Sequence, residues 1–315
     1  MQNSKLSNAK CPVDHFAFLI HHSAFMKSGF VALVGRSNVG KSTLMNTLVG
    51  TKIAATSFRA QMTRHIIHGV MNRPEGQAVF VDMPGLFKDR KNALSAKLYN
   101  RIKEGLEGVN VIVYVVDPGK EIGTEERAVI GLIKHLDIPK ILVINKSDLP
   151  KRNREFQPDY ESMAEDFNKV LSLSALRASH IEPLKEAIME LLPEGDPMYE
   201  GEQLTNVTDT FFVAELIREK IFSIFEKEVP YTMSVEVDDM EQKPNDPVTG
   251  KPGMLVITAR ILTEAERYKK VIIGAGGSKI KEIGLMARKE LEAALGRNIY
   301  LDLQVEVDPH WIERL

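Results

Sequence analysis

Gly35-Arg36-Ser37-Asn38-Val39-Gly40-Lys41-Ser42 fits the pattern G-x-x-x-x-G-K-[ST], and its surroundings decide the fold. The apolar run Phe30–Val34 before it is rich in Val and Phe and reads as a strand. After it, Thr43–Val49 carries apolar residues at helical spacing, and Gly50 closes the run. In that strand–loop–helix setting the glycines let the backbone curl, so successive N–H groups aim inward at phosphate oxygens, Thr43 included. The helix adds the positive end of its dipole. Lys41 has the reach for the β- and γ-phosphates, and the Ser42 hydroxyl is placed to ligate Mg²⁺. A glycine turn before a surface helix is the plain alternative, and the rest of the chain weighs against it.

At 315 residues the chain is long for one domain, and two are expected. The net charge of −2 excludes a global basic field, so any nucleic-acid site must be a local patch. One cysteine, Cys11, rules out an intrachain disulfide and a multi-cysteine metal site and suits a reducing, cytoplasmic compartment. No apolar run approaches the ~18 residues that span a bilayer. Residues 1–27 read as a flexible N-terminal extension. Phe16–Ile20 is too short for a signal sequence, and His15, His21 and His22 belong to an arm rather than a metal site.

From Phe30 onward strands and helices alternate, which predicts a mostly parallel sheet with helices on both faces over residues 28–195. One hairpin is expected, Ile66–Met71 with Gln77–Val81. A helix should span Ser95–Gly108 with Ser95 as N-cap, then a strand Val109–Val116, a helix Glu125–Leu136 and a strand Lys140–Ile144. The strand Val170–Leu173 and the helix Ile181–Leu192 close the domain. Residues 196–208 read as a linker. A smaller α+β domain, 209–315, follows: a helix Asp209–Glu228, strands Met233–Val237 and Met254–Leu262, a short helix, a long helix Ser278–Leu295 and a strand Ile299–Val307.

Forty residues after Ser42, Asp82-Met83-Pro84-Gly85 stands at a strand end. A carboxylate there holds a Mg²⁺-bound water, and the Gly85 N–H approaches a γ-phosphate unhindered. Thr63, in the loop between, is the candidate second Mg²⁺ ligand, engaged only when the γ-phosphate is present and so the centre of a switch. Asn145-Lys146-Ser147-Asp148 supplies the base-specific signal. The Asp148 carboxylate accepts both N1–H and N2–H₂ of guanine, a donor pair adenine lacks. Asn145 would tie this segment to the phosphate loop, and the Lys146 stem would lie over the base. Ser174-Ala175-Leu176 would give backbone N–H groups to guanine O6.

In the second domain, Val271-Ile272-Ile273-Gly274-Ala275-Gly276-Gly277-Ser278-Lys279-Ile280 joins two helices through a G-x-x-G loop, the KH signature for single-stranded nucleic acid. The helix–strand–strand–helix–helix–strand order suits the type II KH version. Arg267, Lys269, Lys270, Lys279, Lys281, Arg288 and Lys289 surround the loop, with Glu282 the one acid counted among them.

Over residues 28–313 these motifs resemble the Era family of translation-factor-related GTPases. Gln61-Met62-Thr63-Arg64-His65, Thr208-Asp209, Glu215-Leu216-Ile217-Arg218-Glu219-Lys220, Glu228-Val229-Pro230-Tyr231 and Val271-Ile272-Ile273-Gly274 carry the likeness beside the loops. The resemblance implies a GTPase that binds GTP and GDP, recognises 16S rRNA at its 3′ end and assists rRNA processing and small-subunit assembly. It implies a monomer, in the cytoplasm and also peripheral at the inner membrane. Many GTPases place a water-orienting glutamine after D-x-x-G; here Leu86 and Phe87 follow, so slow turnover is expected. Similar GTPases with an apolar residue there hold K⁺ through an asparagine at the Asn38 position, so Asn38 is the candidate K⁺ ligand; the alternative is that it merely shapes the loop. Two departures stand out: Ala275 occupies a position that is often basic, and the chain stops soon after Trp311. The alternative is a GTPase switch whose second domain binds protein or docks at a membrane.

Overall fold

The computed structural model describes residues 26–56, 62–85, 93–201, 203–226, 228–245 and 253–314. Leu86, Phe87, Gln61, Cys11 and the three N-terminal histidines lie outside the described residues.

The first unit is a six-stranded sheet of order β2-β3-β1-β4-β5-β6. Its strands are β1 (Lys27–Val34), β2 (Ile67–Arg73), β3 (Gly76–Asp82), β4 (Val111–Val116), β5 (Lys140–Ile144) and β6 (Lys169–Ser172). The β2–β3 pair is antiparallel and the other pairings are parallel. Alternation along the strands explains the layers. Val111, Val113 and Val115 of β4 join one apolar cluster with α1 (Lys41–Val49) and α5 (Glu182–Leu191). Ile112, Tyr114 and Val116 join the opposite cluster with α2 (Ala93–Glu104) and α3 (Thr124–Ile133). A strand buried on both faces needs an uninterrupted apolar run, and all six residues of β4 are buried. A short α4 (Gln157–Glu161) precedes β6.

The second unit opens with α6 (Asp209–Ile224), whose N-cap Thr208 accepts the Phe211 N–H through Oγ1 at 3.2 Å. Strands β7 (Met233–Gln242), β8 (Leu255–Thr263) and β9 (Ile299–Val307) form a sheet in that order, β8–β9 parallel and β7–β8 antiparallel. Between β8 and β9 run α7 (Glu266–Ile273) and α8 (Ser278–Leu295). Ile283, Ala287 and Leu291 form the buried stripe of α8, at the i, i+4, i+8 spacing of one helical face.

Several boundaries differ from expectation, each for a local reason. Lys27 pairs with Gly76 as the first residue of β1 rather than ending a loose extension. Ser95 lies inside α2, which starts at Ala93 and stops at Glu104, before Gly105 and a left-handed Gly108. The α6 helix ends at Ile224 because Phe225 turns extended and packs into the core. Residues 196–208 do not hang free. Leu204 O accepts Val70 N–H at 2.8 Å, Thr205 Oγ1 donates to His68 O at 2.7 Å, and Gln77 Oε1 accepts both Met198 and Tyr199 N–H. The segment thus covers the open edge of β2, satisfying backbone groups that an edge strand otherwise exposes.

Candidate functional site

The loop 35–42 needs three unusual backbone conformations: Gly35, Asn38 and Gly40 have φ of 156°, 67° and 102°. A Cβ on Gly35 would stand 2.4 Å from Val115 O, and one on Gly40 2.4 Å from Asn145 Nδ2. The glycines are therefore steric requirements as well as conformational ones. The loop ends at α1, where left-handed Gly40 is the N-cap and leaves the first N–H groups without a side-chain cap.

Lys41 is 6% exposed, and its ammonium donates to Gly35 O and Arg36 O, both at 3.1 Å. Burial lowers its pKa, while the Asp82 and Glu126 carboxylates oppose that shift. Beside it, Ser42 Oγ donates to Asp82 Oδ2 at 2.6 Å and lies 3.0 Å from Thr63 Oγ1. Residues 21 and 40 positions from Ser42 in sequence thus meet it at one point. Asp82 is fully buried, and its Oδ1 has no hydrogen-bond partner among the described residues. Burial raises its pKa against the pull of Lys41, Ser42 and Thr63. Two hydroxyls and a carboxylate with an unused buried oxygen form a hard-oxygen donor set that suits Mg²⁺. Met83 and Pro84 are buried, and a Cβ on Gly85 would meet the Ser37 backbone at 2.6 Å. The two loops therefore pack backbone to backbone.

At the ends of β5 and β6 the guanine candidates assemble. Asn145 donates from Nδ2 to Val39 O at 2.8 Å and accepts Ala175 N–H on Oδ1 at 2.9 Å, tying three loops together. Asp148 is exposed and accepts from Ser174 Oγ at 2.5 Å. Ser147 N–H donates to Leu173 O at 3.0 Å. Lys146 adopts φ 60° and donates to Asn38 O at 3.0 Å and to Asp117 Oδ2 at 2.6 Å.

Asp117 and Glu126 were not foreseen. Asp117 ends the apolar run of β4 and anchors Lys146; a carboxylate closing such a run was the available signal. Glu126, fully buried on α3, accepts from Tyr114 Oη at 2.5 Å and stands 3.8 Å from Arg36 Nε, behind the phosphate loop. Nothing local in the sequence marks it.

The G-x-x-G loop is the second site. Gly274, Gly276 and Gly277 have φ of 73°, 58° and 76°, and left-handed Gly277 caps α8. Ala275 and Gly276 are exposed, and a Cβ on Gly276 would meet nothing within 4 Å. Lys270 on α7 and Lys281 on α8 are exposed; Lys269 and Lys279 are half-buried, and Lys279 pairs with Glu282 at 2.8 Å. Glu292 also enters the patch, accepting from Arg288 at 3.0 Å, so the basic face carries more acid than Glu282 alone.

Residues 30–146 match the family of 50S ribosome-binding GTPases, and residues 218–312 match the KH domain. The chain is 39% identical over 290 residues to the GTPase Era of Halothermothrix orenii, covering 91% of this chain and 95% of the relative. It is 42% identical over 288 residues to that of Lactobacillus delbrueckii subsp. bulgaricus, covering 90% and 92%. A solved structure of Era in complex with MgGDPNP and nucleotides 1506–1542 of 16S ribosomal RNA superposes with a TM-score of 0.84 at 35% identity, covering 92% of this chain and 96% of that one. A variant of Aquifex aeolicus Era bound to GDP.AlF4⁻ gives 0.83 at 35% identity, with the same coverage.

Proposed function

Because this chain belongs to the Era family of GTPases, we propose that it couples its GTP cycle to binding of the 3′ region of 16S rRNA during small-subunit assembly. The enzyme hydrolyses GTP to GDP and phosphate. The exposed backbone of Ala275 and Gly276, in the G-x-x-G loop between two helix ends, carries the RNA reading. It lets a phosphodiester chain lie close, with Lys269, Lys270, Lys279 and Lys281 at hand to neutralise it.

In the nucleotide site, the N–H groups of 37–43 would hold the phosphates, and Lys41 would leave its carbonyl partners for the β- and γ-oxygens. Ser42 and Thr63 would ligate Mg²⁺, and Asp82 would hold one of its waters; the ion when bound neutralises charge between β- and γ-phosphates. Asp148 would read guanine, held in aim by Ser174. Asn145 and Ala175 would keep the base loops in register with the phosphate loop. Gly85 would offer its N–H to the γ-phosphate. We place K⁺ at Asn38, a left-handed residue of the phosphate loop whose carbonyl accepts from Lys146; replacing K⁺ by Na⁺ should slow turnover severalfold, and unchanged turnover would remove the ion from the scheme. The site of action proposed is the cytoplasm, on the ribosomal subunit.

Filter-binding titration of the full chain with a single-stranded RNA of the 16S 3′ end tests the reading. Affinity should fall with salt, with log K linear in log [salt] and a slope of about −0.7 per phosphate neutralised. A salt-independent or absent interaction would leave a GTPase whose second unit serves another partner.

A further inference from the structure

Thr63 is flanked on both sides by residues committed to the second unit. Before it, Met62 O accepts from Arg218 Nη2 of α6, and the Met62 side chain packs with Ala55 against Phe222. After it, Arg64 is 1% exposed and reaches across to donate from Nη1 to Met233 O at 2.7 Å and from Nη2 to Pro230 O at 3.1 Å. Its guanidinium lies over the Trp311 ring, 5.0 Å from the centroid. Arg101 of α2 donates to Arg64 O. Upstream, Thr56 N–H donates to Glu219 Oε2 at 2.9 Å. Three consecutive residues are thus clamped at their first and third members, and the second presents its hydroxyl 3.0 Å from Ser42 Oγ.

We propose that Arg64 and Arg218 are positioning residues that hold the Thr63 hydroxyl at the metal site, making the second unit part of the machinery that senses the γ-phosphate. The inference rests on the GTP reading above and adds which groups make it work.

The electrostatics of the clamp support a two-state element. Arg64 and Arg218 are both buried, and each carries a nitrogen, Nε and Nη1 respectively, with no hydrogen-bond partner among the described residues. The carboxylate paired with Arg218 is Glu215, which accepts from its Nε at 2.8 Å and attracts the Arg64 charge at longer range. Two buried cations sharing one anion are costly to keep apart from water, so the contact needs support from elsewhere. Engagement of Thr63 by ligand supplies that support, and release of Thr63 withdraws it. By linkage, whatever favours docking of the second unit favours GTP over GDP to the same degree.

The test compares affinities of the full chain for a non-hydrolysable GTP analogue and for GDP, each with Mg²⁺. In Arg218→Ala the analogue should bind about tenfold more weakly, the scale of one charge-assisted hydrogen bond, with GDP affinity held. Arg64→Lys, which keeps the charge but cannot fork onto two carbonyls, should move the same ratio with less risk to folding. Trp311, the chain's one tryptophan, should change emission with the analogue but not with GDP, and lose that difference in Arg64→Lys. Equal losses for both nucleotides, or an unchanged ratio in both variants, would overturn the clamp alone. A wild-type chain that bound neither guanine nucleotide would overturn the nucleotide reading with it.

Discussion

The loops 35–42 and 274–277, both proposed to bring backbone close to phosphate, are built by opposite means. Each contains a left-handed glycine that caps the following helix, Gly40 for α1 and Gly277 for α8. Around the first, the nearest neighbour is backbone or a buried amide at 2.4–2.6 Å from a built Cβ at Gly35, Gly40 and Gly85. Around the second, Gly276 faces open space, and the nearest obstruction at Gly274 is the flexible Lys279 side chain. Lys41 is buried on two carbonyls, whereas Lys279 is half-buried and already paired with Glu282. In the proposed roles, the first would be a socket that dehydrates a compact, highly charged group and fixes each oxygen. The second would be a ledge that a flexible polymer crosses while largely wet. One would select by fit; the other would gain affinity by adding small contacts.

The contrast breaks most sharply at the two lysines. Lys41→Ala should cost about a thousandfold in affinity for both GTP and GDP by calorimetry, because a buried, desolvated charge contact is lost. Lys279→Ala should weaken RNA binding by no more than a few-fold, since an ammonium already paired with Glu282 near solvent is screened and replaceable. Comparable losses at the two positions would mean that the ledge is itself a socket.

The glycines sharpen the same point at smaller scale. Gly276→Asp places a negative side chain in open space, and aspartate tolerates the left-handed conformation there, so the fold and GTP affinity should be intact. RNA affinity should drop about tenfold from charge repulsion alone, read in the same filter assay. A drop in thermal midpoint or in GTP affinity would show that the loop is packed after all.

Both loops are legible in the sequence, for different reasons. The socket is local chemistry: its glycines, Lys41, Asp82, Asn145 and Asp148 stand at strand ends in an order that only a parallel sheet brings together. The ledge was equally legible, because a G-x-x-G loop between two periodic helices needs nothing distant. What stayed hidden depends on partners far away in the chain. Arg64 finds its carbonyl acceptors 166 and 169 residues on, and no spacing rule reaches that far. Glu126 meets Tyr114 only because α3 folds back beneath the phosphate loop. Residues 196–208 look like a linker because pairing along an edge strand through polar side chains leaves no apolar period. Ser95 looked like a cap because Ser favours caps, yet the helix continues through it from Ala93.

The smallest predicted effect lies between the two regions, in the layer that joins them. His65 sits edge-on to Phe211 at 5.1 Å, with Nδ1 3.2 Å from Arg101. Burial pushes its pKa down to about 4, Glu215 pulls the other way, and Arg101, Arg218 and Arg64 add to the depression. The folded form therefore keeps this imidazole neutral while the unfolded chain titrates near 6.5. Between those values the unfolded state binds the extra proton, so the stability His65 contributes is complete above about pH 6.5 and is lost as pH falls toward 4. Asp82 has the opposite sign: burial raises its carboxyl, so the ligand-free socket gains stability as pH falls into the carboxylate range. Acid should therefore loosen the joint before the socket. At pH 5.5 the thermal midpoint followed by Trp311 emission should sit ~2–4 °C below its value at pH 7.5. His65→Gln should flatten that dependence. If the slope survives the substitution, another group carries it, and the joint is not where acid first acts.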